Sequence, residues 1–98
     1  MSASGPEAKF QSSVLNYLRS KGCIAYKMQQ NATTRIATPD IMFIKEGFWG
    51  AIECKASKTA KFQPGQKEMV KKLDEWSWAK VAYPENWAEI KAELDEIL

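Results

Sequence analysis

Histidine is absent from the 98-residue chain. That removes Cys/His zinc ligation, Ser-His-Asp and Cys-His nucleophilic catalysis, and every nuclease chemistry that uses a histidine base. The two cysteines, Cys23 and Cys54, are too few and too far apart for a zinc site. They could form a disulfide, but reduced thiols suit a cytosolic chain better. Long apolar runs are also lacking, so no segment is long enough to cross a bilayer. Residues 1–9 have no apolar signal-peptide core, and the expected location is the cytoplasm. Repeats, linkers and low-complexity segments are missing too. One domain over residues 1–98 is expected, with the small polar residues 1–5 frayed. Any catalysis is left to carboxylates, lysine and a hard metal ion.

What is present is ordinary in bulk and uneven in detail. Hydrophobic residues make up 45% and charged residues 27%, as in soluble globular proteins. A chain of this size buries roughly 60–65% of the surface exposed when unfolded, so its core is thin. Residues 1–72 hold twelve Lys/Arg against five Asp/Glu, a net +7, whereas residues 73–98 hold two against seven, a net −5. A basic body with an acidic tail suggests a polyanionic partner on one face; a merely solvated, uneven surface is the plainer alternative.

Local patterns predict the order α-β-β-β-α-β-α. In "SGPEAKFQSSVLNYLRSKG", Ser4 can cap, Pro6 sits in the first turn, and Glu7 follows Ser4 by three as in a capping box. Phe10, Val14, Tyr17 and Leu18 make one helical stripe, ended by Gly22. "CIAYKM" (23–28) is β-prone, and "QQNATTRIAT" (29–38) is loop-like. "PDIMFIKEGFWGAIECKAS" (39–57) reads as two strands around a Lys45-Glu46-Gly47 turn. The basic loop 58–66 leads into a helix, with Pro64 near its start, that buries Met69, Val70, Leu73 and Trp76. "WAKVAY" (78–83) alternates like a strand. Pro84 then opens a last helix with Trp87, Ile90, Leu94 and Ile97 on one face. An antiparallel hairpin followed by a helical crossover gives an α/β fold with a mixed sheet flanked by helices.

Within "GFWGAIECKAS" (47–57), Glu53 and Lys55 stand in a run that is otherwise apolar or small. Charges are rarely buried unless paired or bound. Strand alternation points both the same way, with Trp49 and Ala51, while Ile52 and Cys54 take the other face. Pairing around the turn brings Asp40 roughly opposite Glu53–Lys55. Two such carboxylates repel each other, and a divalent cation between them removes the conflict. Mg²⁺ is commonly held by one or two carboxylates with water and phosphate oxygens. Such an ion polarises a phosphate, and Lys55 can orient water or stabilise the charge that develops. Glu7 and Gln66 extend the apolar stripes of their helices and can face the same site. Capping for Glu7 and an ordinary first-turn place for Gln66 are the alternatives. Asp40 could likewise be a turn residue, and Glu53–Lys55 a surface pair.

The pattern Pro39-Asp40 … Glu53-x-Lys55, with thirteen residues from Asp40 to Glu53, resembles the PD-(D/E)xK nuclease superfamily. The run "IECKASKTAKFQPGQKEMVKKL" and the opening "EAKFQSSVLNYLRSKG" are similar to its virus-type replication-repair nuclease family, VRR-NUC, over about residues 7–83. Family members often carry a glycine just before P-D, where this chain has Ile36-Ala37-Thr38. The resemblance implies a restriction-endonuclease-like core and a Mg²⁺- or Mn²⁺-dependent DNA endonuclease. It implies that Asp40, Glu53 and the Cys54 backbone carbonyl hold the metal, completed by Glu7. Lys55 would serve the attacking water and Gln66 would touch the phosphate. Small stand-alone members are expected to cut branched DNA such as four-way (Holliday) junctions as homodimers, in a bacterial or phage replication-repair setting. Lys58, Lys61 and Lys67 are candidate phosphate contacts, and Arg35, with Asn31, Thr33 and Thr34, a candidate DNA-contact segment. Exposed Trp76 or Trp78 would suggest a subunit interface. The rival from another class is a non-catalytic DNA-binding or assembly module on the same fold.

Overall fold

The computed structural model describes residues 5–28 and 37–98. Helix α1 (Pro6–Ser20) starts on Pro6, whose missing N–H costs nothing at a first helical position. Gly5 precedes it without a side-chain cap; Ser4, the expected cap, lies outside the described residues. The helix ends in a Schellman turn. Gly22, at φ 91°, donates its N–H to the Arg19 carbonyl, and the Cys23 N–H reaches the Leu18 carbonyl, both at 3.1 Å.

Strand β1 (Ile24–Lys27) follows, then β2 (Ile41–Lys45) and β3 (Phe48–Cys54). The β2–β3 turn has two residues, Glu46 at φ 48° and Gly47 at φ 87°, the positive-φ pair that matches strand twist in tight hairpins. Helix α2 (Gln66–Trp76) crosses over to β4 (Trp78–Ala82), and α3 (Trp87–Ile97) closes the described chain. The sheet order is β1-β2-β3-β4, antiparallel except for the parallel β3–β4 pair that the α2 crossover allows. This is the expected α/β order with a mixed sheet.

Each sheet face has its own cover. Ile41, Phe43, Ile52, Cys54, Trp78 and Ala82 meet Phe10, Val14, Leu15 and Leu18 of α1 and Ile90 and Leu94 of α3 in the main apolar core. On the opposite face Ala51 and Ala79 meet Val70 of α2, with Met42, Leu73 and Val81 at the margin. Gly50 is required at the centre. A Cβ there would stand 2.5 Å from Cζ of Phe43 and 3.0 Å from the Trp78 carbonyl oxygen. Helix α2 covers only the β3–β4 half of its face. Ile24, Tyr26 and Ile44, which share that face by register, are exposed on the other half.

Three expectations differ in detail. Trp76 is 68% exposed, because it is the last residue of α2 and lies beyond the Val70–Leu73 contacts. The last helix begins at Trp87 rather than Pro84. Asn86 closes the intervening turn, accepting the Tyr83 N–H at 2.9 Å and donating to the Val81 carbonyl at 3.0 Å. Ile97 is exposed, while Trp87 packs edge-on against Phe10 and Tyr17. Both cysteines are free and buried. Among the described residues no helix is long and apolar enough to cross a membrane.

Candidate active site

The polar cluster forms where β3 runs out. Asp40 immediately precedes β2, and the Ile41–Ile52 register extended by one step sets it opposite Glu53. Its position is fixed on two sides. The Asp40 carbonyl accepts the Met28 N–H at 2.7 Å, tying it to β1, and its Oδ2 accepts the Cys54 N–H at 2.8 Å, tying it to β3. Lys55 continues the parallel ladder by donating its N–H to the Ala82 carbonyl at 2.9 Å. The sheet itself therefore sets Asp40, Glu53 and Lys55.

Helix α2 adds the third side. Gln66, its first residue, is buried and uses both ends of its amide. Its Oε1 accepts from Lys55 Nζ at 2.9 Å and from the Gln63 N–H at 2.7 Å, and its Nε2 donates to Glu53 Oε2 at 2.9 Å. Lys55 Nζ lies 3.5 Å from the same Glu53 oxygen. Gln66 thus holds the carboxylate and the ammonium in one arrangement and pins the preceding loop to it.

Glu53 is only 2% exposed, and its Oε1 is buried with no hydrogen-bond partner. Burial, then the Asp40 charge, push its pKa up to about 7 against the partial relief from Lys55. Asp40 is raised as well, mainly by burial, although the Cys54 N–H and Lys55 favour its charged form. Glu7, exposed near the start of α1, is raised by burial and by Asp40. Burial and these three carboxylates also push the Cys54 thiol up, so it is no nucleophile. The site therefore has more negative charge than Lys55 balances.

A divalent cation fits that excess. An unpartnered buried carboxylate oxygen beside a second raised carboxylate is a donor pair lacking its acceptor. Among the described residues no three Asp, Glu, Cys or His groups are arranged to hold an ion by themselves. Glu7 thus stands within electrostatic reach without forming a ready-made triad, and water or phosphate oxygens would supply the remaining ligands.

Lys58, Lys61 and Lys67 are exposed and lie outside the carboxylate cluster. They line an open basin of about 550 Å³ next to it. Arg35, Asn31, Thr33 and Thr34 lie outside the described residues. Two participants escaped the sequence reading. Gln11 of α1 is buried, and its side chain favours the charged form of Asp40. It follows Glu7 by four and precedes Val14 by three, a helical spacing that could have revealed it. Phe62 carries the Lys55 and Lys67 ammonium groups over its ring, 4.9 and 5.0 Å from the centroid. It sits in a loop, where no periodicity announces it.

No family model matches the chain, and no curated protein matches it. Among solved structures, Hjc, a Holliday junction resolvase from the archaeal hyperthermophile Archaeoglobus fulgidus, shares the fold. The TM-score is 0.59 at 19% sequence identity, over 76% of this chain and 65% of the resolvase. The chain thus spans less than two thirds of that protein's length.

Proposed function

We propose that the chain is a divalent-metal-dependent, structure-selective DNA endonuclease of the PD-(D/E)xK type, a small VRR-NUC-like member acting on branched DNA such as four-way junctions. The observation that carries this reading is the buried Glu53 carboxylate with an unpartnered oxygen, set against Asp40 and beside Lys55. A structural ion pair would need one carboxylate, not two. A fold shared with a junction resolvase supports the substrate class, and the net +7 of residues 1–72 supports a polyanionic partner.

In this reading Asp40 and Glu53 hold Mg²⁺ or Mn²⁺, with the Cys54 carbonyl assisting and Glu7 acting through water. The ion, when bound, polarises the scissile phosphate and lowers the pKa of a bound water. Lys55, kept in place by Gln66, orients the attacking water and stabilises negative charge building on the phosphate. Gln66 has both ends of its amide engaged, so its role is to position Glu53 and Lys55. Lys58, Lys61 and Lys67 take flanking phosphates, and Arg35 is a further candidate contact. Paired cuts need two sites, and one chain offers one, so the working unit is a homodimer. The uncovered Ile24, Tyr26 and Ile44 face supports a subunit contact there. Such a protein would work in the cytoplasm of a bacterial or phage-infected cell.

The test is cleavage of end-labelled four-way junction, flap and linear duplex with Mn²⁺, beside Lys55→Ala. Paired symmetric cuts in the junction, lost in the variant, are expected. Junction binding without any cleavage would overturn the reading in favour of a non-catalytic DNA-binding module.

A further inference from the structure

The basin beside the site is more than a patch of lysines. Lys58, Lys61, Phe62, Gly65, Lys67 and Glu68 border an open basin of about 550 Å³, a volume within the roughly 300–1,000 Å³ usual for small-molecule sites. Its basic rim suits a phosphate, and Phe62 offers an aromatic surface. Among the described lining residues Glu68 is the one carboxylate, against three lysines.

Phe62 also connects this basin to the chemistry. The ring stands under both Lys55, which touches Glu53 and Gln66, and Lys67 of the basin rim. The loop cannot drift freely, because the Gln63 N–H is bonded to the Gln66 oxygen that also holds Lys55. Whatever rests on Phe62 therefore touches a ring that also contacts the Lys55 ammonium.

We infer that this basin is a nucleotide pocket in which an unpaired base of the DNA stacks on Phe62 while Lys58, Lys61 and Lys67 hold its phosphates. The inference rests on the nuclease reading for its substrate and deepens it by naming what reads DNA structure. In a continuous duplex both faces of each base are covered by neighbours. In a flap or single-stranded end an unpaired base has a free face to offer, and a junction offers one where a pair at its branch point opens. Base–aromatic stacking is a stronger contact than an exposed cation over a ring, so an arriving base displaces Lys67, which turns to phosphate. Stacking tolerates any base, so the pocket selects by structure rather than sequence.

The experiment uses Asp40→Asn protein, to prevent cutting, with 2-aminopurine placed in a single-stranded oligonucleotide, in a flap and in blunt duplex. Strong quenching in the single strand and flap, but not in the duplex, is expected. Phe62→Leu should lose that quenching and bind unpaired DNA about ten-fold more weakly while its duplex affinity stays near that of the parent. Phe62→Tyr should restore both. Thermal melting establishes that the variants fold, and the quenching in the parent is a readout that needs no variant at position 62. Fluorescence of the single strand and flap left unchanged from that of the free DNA when the parent binds would overturn the inference, even if the wild-type protein cleaves junctions. Quenching on unpaired DNA by a protein that cleaves nothing would sustain the pocket while the nuclease reading fell.

Discussion

Ile52 and Glu53 are neighbours on one strand and equally removed from water, yet they belong to opposite kinds of interior. Ile52 faces α1 and α3, where Phe43, Leu18 and Leu94 close an apolar core. Such burial contributes about 25 cal/mol per Å² of apolar surface and is where the fold gets its stability. Glu53 faces the α2 side, among Asp40, Lys55 and Gln66, with one oxygen unsatisfied. Burying charge there costs stability unless something charged arrives. One face of the sheet supplies the main apolar core, and at the end of the other the fold holds carboxylates where burial disfavours their charge.

The sharpest way to break this comparison is to substitute on each side and read both activity and stability. Asp40→Asn should cut nuclease turnover by about a thousand-fold or more while the melting temperature holds or rises. Leu94→Ala, at a fully buried core position, should do the reverse. It should lose about 2–5 kcal/mol of unfolding free energy by denaturant titration, with turnover per folded molecule retained. Loss of folding in Asp40→Asn would put that residue on the structural side of the comparison.

A smaller effect sharpens the polar half. The Glu53 pKa rises from 4.5 to about 7 on folding. Below 4.5 both states hold the proton. Between 4.5 and about 7 only the folded state keeps it, so stability falls as pH rises through that window and levels off above it. Asp40 and Glu7, also raised, push the same way. Glu53→Gln removes one of two carboxylates facing a single lysine. It should gain about 1–2 kcal/mol at pH 8 and almost nothing at pH 4. Thermal melts of the metal-free proteins across pH test this; a loss of stability at pH 8 would count against it. The smallest effect is in the hairpin turn, remote from both interiors. Glu46 adopts φ 48° without being glycine. Glu46→Asn should stabilise by about 0.5 kcal/mol in chemical denaturation and leave turnover unchanged.

What was readable in the sequence follows the same division. Strand alternation and the hairpin turn together were enough to bring Asp40, Glu53 and Lys55 to one place, because pairing around a tight turn leaves little freedom of register. Gln66 was legible from the apolar stripe of its helix. Gln11 was not singled out, although it shares the spacing of Glu7, Val14 and Leu18, because a glutamine beside Phe10 reads as surface until Asp40 is known to lie against it. Phe62 could not be read at all. Its partners Lys55 and Lys67 meet it only after α2 folds back onto the sheet. The exposure of Trp76 was missed because helical spacing says which face a residue takes, not where the covering surface ends.

The central claim is that the buried carboxylates await a divalent cation, and calorimetric titration with Mn²⁺ near pH 7 tests it most directly. Saturable binding with release of protons, as the ion displaces the proton from Glu53, is the predicted result, lost in both Glu53→Gln and Asp40→Asn. Absence of binding, or binding unchanged by either substitution, would contradict the account.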